Sequence, residues 1–430
     1  MFRGEEPDIN SFSFYFCLVN AHLIIIGGGA AGVFCAVNTA RLSPGLKVTV
    51  IEKSSKLLSK VKVSGGGRCN VTHHNFDPDS FGQQYPRGSR FVRKAFYQFF
   101  STDTIEWFLQ RGVKLHAEAD GRMFPVTNNS QTIIDCLLKE AEKYGVMFMM
   151  QTEVKNISHN NDWQLTLKDD RVLHANFICI ATGGSNKMEG YEWLRSLEHA
   201  IIEPVPSLFT FQLPDHPIRS LMGVSVPKVS VKIQGEKLKE SGPLLITHWG
   251  FSGPAILRLS AWGARMLHAK DYQFTLFVNW LNDMREDELN LFFQHQRKEN
   301  GAKKIYGSCP FELPSRLWLY FLNVSGIEEG KRWADLSQKQ QHSLLRHLIA
   351  GEFNVSGKTT FKEEFVTAGG VDLKEINPST MESKLQKGLY FAGEVMDVDG
   401  ITGGFNFQHA WTSGMIVARS VGNVNKQPSS

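Results

Sequence analysis

Three glycines near the start of the chain have the spacing of a phosphate-binding turn. Gly27, Gly29 and Gly32 follow the pattern G-x-G-x-x-G directly after the aliphatic run 22–26, which predicts a short buried strand. In such a turn the first glycine permits a tight bend, the second lets the backbone approach a pyrophosphate, and the third lets the next helix pack on the strand. The start of that helix, at Ala30 and Ala31, offers free N–H groups to phosphate.

An acid completes this motif. A second predicted strand, residues 47–51, ends at Glu52, which lies about 20 residues beyond the last glycine, where a ribose-binding carboxylate belongs. Lys53 follows it and is assigned to the same site. Strand, turn, helix, strand and acid together predict dinucleotide binding. The alternative is a glycine-rich strand–helix turn that holds no ligand.

A second glycine-rich segment follows. Three consecutive glycines remove every side chain from a stretch of backbone, so a flat or bulky group can lie against it. Basic residues bracket the segment, which predicts a loop along the pyrophosphate and redox ring of the dinucleotide, with Arg68 as counter-charge. The alternative is a flexible surface hinge. The predicted site residues here are Lys60, Ser64, Gly65, Gly66, Gly67, Arg68, Cys69 and Asn70.

The same segment resembles the signature of one flavoprotein family, the BaiN-like NAD(P)/FAD-dependent oxidoreductases, also called aminoacetone oxidase family FAD-binding enzymes. The resemblance covers about residues 22 to 420. His73 and His74 depart from the family pattern, in which Asn follows Val-Thr, so no role is transferred to them. The family also carries an Ala-Thr-Gly-Gly turn, matched here by the predicted site residues Ala181, Thr182, Gly183 and Gly184.

The resemblance extends to a C-terminal block. A predicted strand at 389–392 leads to Glu394, which is placed to accept a hydrogen bond from a ribityl hydroxyl. A glycine pair then opens a helix to about Arg419, whose positive N-terminal end would favour an anionic reduced flavin. The alternative is a plain strand–turn–helix ending. The predicted site residues are Gly393, Glu394, Asp397, Gly403, Gly404, Phe405 and Asn406.

These two blocks together indicate FAD rather than NAD as the tightly held cofactor, because an NAD dehydrogenase needs only the first. No second G-x-G-x-x-G follows a strand, so NAD(P)H, which the family implies as a transient donor, has no assigned place. Likeness to glutathione-reductase-type flavoproteins implies that backbone groups near Val154 pair with the adenine edge. The flavin carries the hydride chemistry. No catalytic acid, base or nucleophile is identified. Cys69 is either redox-active or a packing residue, and His409 either a proton donor or structural.

The expected fold is α/β: a Rossmann-like FAD-binding domain, with a parallel sheet and an antiparallel meander, interrupted by a β-barrel-like and helical insert. Prolines and antiparallel-looking strands set residues 203–353 apart. A loop at 248–257 enters a helix there; it is interpreted as structural rather than phosphate-binding. The predicted division is an N-terminal extension (1–20), a discontinuous FAD-binding domain (21–202 and 354–422), an insert (203–353, β part about 203–280, helical part about 281–353) and a C-terminal tail (423–430).

Composition sets the remaining expectations. A net charge of +4 over 430 residues gives no case for nucleic acid or an anionic membrane. Six scattered cysteines form no C-x-x-C pair, which fits a reducing cytoplasm. We therefore expect a cytoplasmic FAD-dependent oxidoreductase, NAD(P)H-linked, that passes hydride to or from a small organic substrate. The alternatives are an FAD-dependent RNA-modifying protein, which would need a broad basic surface, and a non-catalytic FAD-binding protein. The oligomeric state is left open.

Overall fold

The computed structural model describes residues 21–359 and 366–424. The predicted N-terminal extension and most of the predicted C-terminal tail therefore lie outside the described residues. The strands are β1 (His22–Ile26), β2 (Lys47–Ile51), β3 (Thr72–His73), β4 (Leu115–Ala117), β5 (Arg122–Pro125), β6 (Met147–Met149), β7 (Val154–His159), β8 (Trp163–Leu167), β9 (Val172–Ala175), β10 (Phe177–Ile180), β11 (Ile201–Ser207), β12 (Thr210–Gln212), β13 (Ser225–Ile233), β14 (Lys239–Ile246), β15 (Gly250–Ser252), β16 (Gln273–Asn279), β17 (Gly351–Ser356), β18 (Lys358–Thr359), β19 (Val366–Val371) and β20 (Leu389–Phe391).

Helices cover the sheets. In chain order they are α1 (Ala30–Leu42), α2 (Ser59–Gly67), α3 (Pro78–Gly82), α4 (Ser89–Phe96), α5 (Ser101–Leu109), α6 (Ser130–Lys143), α7 (Glu192–Arg195), α8 (Pro254–Trp262), α9 (Ala264–Ala269), α10 (Glu286–Asn300), α11 (Ser315–Val324), α12 (Gln338–Ile349) and α13 (Phe405–Val424).

A five-stranded parallel sheet is the centre of the first lobe, in the order β20-β10-β1-β2-β6. Its middle strands β10, β1 and β2 are mostly apolar and almost entirely buried, because both of their faces are covered. Helices α1 and α13 pack closely against each other. Gly414 permits this contact, since a Cβ there would lie 2.8 Å from the carbonyl oxygen of Ala31. The predicted α/β fold with a parallel Rossmann sheet is confirmed.

Two small antiparallel sheets complete this lobe, in the orders β3-β5-β4 and β7-β8-β9. The second is the predicted meander. Its β8–β9 turn contains Asp170 in the left-handed conformation, at a φ of 62°. Strands β11 and β19 pair antiparallel on each side of the inserted residues and mark where the chain leaves the first lobe and returns to it.

The inserted residues build a second lobe around a seven-stranded sheet in the order β17-β16-β13-β14-β15-β12-β18. Its edge strands β17 and β18 are consecutive in the chain and joined by Gly357 alone, so the sheet curls until its edges meet. This lobe has its own hydrophobic core, from Phe209 to Val355.

The lobe differs from the predicted layout in two respects. The predicted return to the first domain at residue 354 falls inside β17, and both β17 and β18 belong to the inserted sheet. Helices and strands also alternate rather than separate, because α8 and α9 fall in the predicted β part. The point of return and the order of the helices and strands both depend on pairing between distant strands. Local sequence patterns do not predict such pairing. We retain the two-domain division as a proposal, with a later return.

Candidate cofactor and substrate cavity

A cavity of about 630 Å³ opens at the carboxyl ends of the parallel strands, where ligands bind in open α/β sheets. The segments that follow β1, β2, β10 and β20 all contribute to its lining. The inserted lobe supplies the opposite wall. The predicted residues that line it are Gly27, Gly29, Ala30, Ala31, Glu52, Lys53, Lys60, Ser64, Gly65, Gly66, Asn70, Ala181, Thr182, Gly183, Gly184, Gly393, Glu394, Gly403, Gly404 and Asn406.

The glycine turn after β1 has the geometry that its spacing predicts. Gly27 has a φ of +113°, and a Cβ there would lie 2.3 Å from the carbonyl oxygen of Ala181. Gly32 packs against the turn itself, because its Cβ would meet the Gly27 oxygen at 2.0 Å; it lies outside the lining. Gly29 borders open space on the cavity side, so a side chain there would project into the cavity.

Glu52 is held in place at the same end of the cavity. One carboxylate oxygen accepts the backbone N–H of Gly28 at 2.8 Å, and the other accepts that of Ser54, also at 2.8 Å. The carboxylate thus has a fixed orientation beside the glycine turn. It can still accept further hydrogen bonds, because each carboxylate oxygen has two lone-pair sites.

The second glycine segment is partly helical, which the sequence analysis did not predict. Helix α2 contains Ser64, Gly65 and Gly66 in non-helical conformations, with φ values of +58° and +68° at the two glycines. These three residues line the cavity, whereas Gly67 does not. The backbone of this interruption therefore borders the space where a cofactor would lie.

Arg68 and Cys69 do not reach the cavity. The Arg68 guanidinium donates to Glu118 at 2.6 Å and lies over the ring of Phe124, so its predicted role as counter-charge has no support in the geometry. Cys69 is fully buried, and burial raises the pKa of its thiol to about 12. A buried, protonated thiol favours the packing alternative.

Val154 is also outside the lining. It pairs with Leu167 in the separate sheet β7-β8-β9 and packs against the core. The resemblance placed it at the adenine edge, but its strand belongs to the meander rather than to the parallel sheet. A short strand between two sheets carries no sequence signal that says which sheet it joins.

Glu394 follows Gly393 in the part of the lining after β20, and its carboxylate already has two partners. Its carboxylate accepts from Lys60 Nζ at 2.8 Å and from the backbone N–H of Thr367 at 2.8 Å. The Lys60–Glu394 pair joins helix α2 to the segment after β20. Residues that are 334 positions apart in the chain thus meet in the cavity lining.

The segment before α13 folds back on itself. Asn406 accepts the backbone N–H of Gly400 and donates to the carbonyl oxygen of the same residue, which orders the turn containing Gly403 and Gly404. Two of the predicted site residues do not line the cavity. Phe405 is buried, and the Asp397 carboxylate lies 3.7 Å from Arg265 Nη2. Burial raises the pKa of Asp397.

His409, one turn into α13, lines the cavity. Its Nε2 lies 3.3 Å from the carbonyl oxygen of Gly393, so this nitrogen carries the proton and donates it. Burial lowers the pKa of the imidazole to about 4, which keeps it neutral near pH 7. A neutral ring that is already bound to the backbone favours the structural alternative.

The sequence analysis missed the wall supplied by the inserted lobe. The described wall is apolar and hydroxylated, with no charged side chain among its described members. Residues 252 and 257 belong to the 248–257 loop, which the sequence analysis interprets as structural; the other positions carry no motif. The wall residues are Leu208, Thr210, Ser252, Leu257 and Thr359, and Val366 at the start of β19 adjoins them.

The lining fits FAD. Open backbone at Gly29, Gly66 and Gly183, where a Cβ would meet nothing within 4 Å, leaves room for a flat ligand along the glycine segments. The start of α1 faces the same space, and Lys53 and Lys56 add positive charge to the lining, whereas Lys60 is paired with Glu394. These groups suit the pyrophosphate, and Glu52 suits the ribose. Arg122, the other lining cation, is paired with Glu118 and Asp120.

Residues 21–359 and 366–424 contain no helix that is long and apolar enough to cross a membrane. The same ranges contain no group of three or more His, Cys, Asp or Glu side chains that could hold a metal ion.

Comparisons with known proteins agree with this geometry. The family described as HI0933-like protein Rossmann domain matches residues 21–420. A ribosomal RNA dihydrouridine synthase of Haemophilus influenzae is 31% identical over 93% of this chain and 98% of its own length. A protein of the same name from Escherichia coli is 31% identical over 93% of this chain and 97% of its own length. A 3-dehydro-bile acid delta(4,6)-reductase of Clostridium scindens is 26% identical over 92% of this chain and 98% of its own length.

Proposed function

Since the chain belongs to the HI0933-like family of FAD-binding Rossmann oxidoreductases, we propose that it is an FAD-dependent reductase of a carbon–carbon double bond conjugated to a carbonyl group. The observation that carries this proposal is the near full-length similarity to relatives whose names describe reductions of this kind. Dihydrouridine arises when the C5–C6 double bond of uridine, conjugated to C4=O, is saturated. A delta(4,6)-reductase acts on carbon–carbon double bonds of a ketone.

The reaction adds one hydride to the carbon distant from the carbonyl and one proton to the adjacent carbon. The substrate gains two electrons. We propose NAD(P)H as the source of hydride, so that it leaves as NAD(P)⁺ while the proton comes from solvent or an acid not yet assigned. Bound FAD supplies the two-electron relay between donor and substrate.

The chain's own residues bind and orient these groups. Glu52 and the turn from Gly27 to Gly32 would hold the adenosine and pyrophosphate, while Glu394 and the turn at Gly403–Gly404 would hold the other half of the cofactor. The inserted lobe closes the remaining side and limits access of water.

We place uridine in ribosomal RNA first as the substrate, because the two 31% identical relatives bear that name and align over nearly their whole length. The net charge of +4 gives no case for nucleic acid, so the assay with RNA decides between this candidate and a small molecule. A small enone is the second candidate, supported by the bile acid reductase relative and by the lack of charged side chains among the described residues of the inserted-lobe wall.

The experiment begins with the purified yellow protein. Anaerobic NADH and NADPH are compared for bleaching of the flavin. The reduced protein is then mixed with ribosomal RNA transcribed in vitro, and nucleosides are analysed by mass spectrometry for uridine that has gained two hydrogens. The same RNA incubated with protein whose flavin has not been reduced is the control. Dihydrouridine formation supports the proposal. Reoxidation by 2-cyclohexen-1-one but not by RNA selects the second candidate, and reoxidation by neither contradicts both.

A further inference from the structure

Ser252 occupies a fixed position in the wall supplied by the inserted lobe. It is the last residue of β15 and pairs with Leu245 of β14. Its neighbour Phe251 is fully buried and pairs with both β12 and β14, so the strand end is anchored on two sides. The chain then turns sharply at Gly253, where φ is +98° and a Cβ would lie 2.8 Å from the Pro243 oxygen. Position 252 is therefore held at the cavity.

The Ser252 hydroxyl has no hydrogen-bond partner within the described ranges, although its residue lines the cavity. The neighbouring hydroxyls are engaged. Thr210 Oγ1 accepts from Trp249 Nε1 at 2.9 Å and donates to the Thr359 carbonyl oxygen at 3.3 Å. Thr359 Oγ1 accepts from Gln212 Nε2 at 2.9 Å. Ser252 thus keeps both its donor and its acceptor capacity for a ligand.

The surroundings of Ser252 restrict the chemistry of that ligand. The described wall of the inserted lobe presents no ionised group, and Arg122 across the cavity is neutralised by two carboxylates. A carboxylate substrate would lose its hydration there without gaining a counter-charge, which is costly. A neutral carbonyl needs only a hydrogen-bond donor.

We propose that the Ser252 hydroxyl donates a hydrogen bond to the carbonyl oxygen of an uncharged reacting group, a uracil base or an enone, and so positions its conjugated double bond over the flavin. This inference rests on the proposed function. When hydride reaches the distant carbon, negative charge develops on the carbonyl oxygen, and a fixed donor at that atom stabilises it. Ser252 then binds the substrate moderately and the transition state more strongly.

The test uses FAD-loaded protein and compares Ser252→Ala with Ser252→Thr, which retains the hydroxyl. Ser220→Ala is the matched control, because Ser220 is an exposed serine of the same lobe that does not line the cavity. The first readout is reoxidation of the prereduced flavin by whichever substrate, ribosomal RNA or 2-cyclohexen-1-one, the wild-type protein reduces. We expect Ser252→Ala to slow it about 100-fold, with the flavin spectrum and the NAD(P)H reduction rate unchanged. Ser252→Thr and Ser220→Ala should stay close to wild type.

The second readout requires no turnover. Binding of 2-cyclohexen-1-one, uridine or crotonate to the oxidised protein is followed by the change in flavin absorbance. We expect the neutral probes to bind wild type and to bind Ser252→Ala at least tenfold more weakly, while the carboxylate crotonate binds poorly to both. Equal affinities in wild type and Ser252→Ala, or preferred binding of crotonate, would overturn the inference. If neutral probes bind through Ser252 but are not reduced, the inference stands and the proposed function fails.

Discussion

Arg87 and Asp399 form a buried ion pair in the first lobe, and the Arg87 guanidinium also contacts the inserted lobe. The Asp399 side chain is completely buried, and Arg87 Nε donates to it at 2.5 Å. The same guanidinium donates to the carbonyl oxygen of Ala261 in α8 at 2.8 Å, while Ser207 in β11 donates to Asp399 at 2.7 Å. Val398 and Ile401, which lie close to Asp399 in the chain, line the cavity, so the pair fixes the loop before α13 relative to the inserted lobe.

Replacing Arg87 should therefore destabilise the protein strongly. Arg87→Met leaves an uncompensated buried carboxylate, which we expect to lower the free energy of unfolding by about 3–5 kcal/mol. Arg93→Met is the control, because the Arg93–Asp79 pair is solvent-exposed and should contribute at most about 1 kcal/mol. Urea denaturation measures both. Similar losses in the two variants would show that the buried pair has no special role.

A methyl group at position 29 should block the cofactor. The backbone at Gly29 is extended, so alanine is tolerated there without strain, but its Cβ would project into the cavity. Overpacking at a close contact costs about 1–3 kcal/mol, so we expect FAD affinity to fall about tenfold or more for Gly29→Ala. Thermal stability without FAD should be unchanged. Gly45→Ala, at an exposed site where a Cβ meets nothing, should bind FAD normally; a parallel loss there would argue against the cavity explanation.

Glu52→Ala should weaken FAD binding without affecting the redox step. A hydrogen bond to a charged group contributes about 1.5–3 kcal/mol, so we expect FAD affinity to fall about tenfold or more. Flavin reduction in the remaining loaded protein should change little, since Glu52 lies at the glycine-turn end of the cavity. Fluorescence of released FAD gives the affinity. Because Ala also frees the N–H groups of Gly28 and Ser54, Glu52→Gln serves to separate the loss of charge from the loss of backbone partners.

His409 should make stability depend on pH. The pKa of its imidazole is lowered from 6.5 to about 4 by burial, so the unfolded chain takes up a proton at a higher pH than the folded protein. Stability is therefore complete above about pH 6.5 and falls as the pH is lowered towards 4, by up to about 3 kcal/mol from this group. His409→Gln should remove that part of the pH dependence. Identical slopes of unfolding free energy against pH in both proteins would contradict the assignment.

Local motifs allowed the cofactor half of the site to be predicted. The turn from Gly27 to Gly32 and the acid Glu52 lie within one strand–helix–strand unit, where spacing alone determines geometry. Gly393 and Gly404 were predicted because the first directly follows a predicted strand and the second directly precedes a predicted helix. The parallel sheet could be predicted because its buried strands are short, mostly apolar runs.

The wall supplied by the inserted lobe could not be predicted, because it is built by contacts between distant residues that leave no local sequence pattern. Ser252 reaches the cavity only because β15 pairs with β12 and β14 in the curled sheet. Arg68 was expected at the ligand, but Glu118, 50 residues away, holds it elsewhere. The Arg87–Asp399 pair spans 312 residues. Such partners are chosen by tertiary packing, which sequence spacing cannot predict.

The packing of α13 against α1 also orders events during synthesis. The glycine turn from Gly27 to Gly32 is translated long before β20 and α13, although these elements lie beside it in the folded protein. A growing chain that still lacks β20 and α13 therefore has only one part of the cavity lining. We expect such a chain to hold FAD weakly, so that cofactor capture waits until α13 has been made and packed.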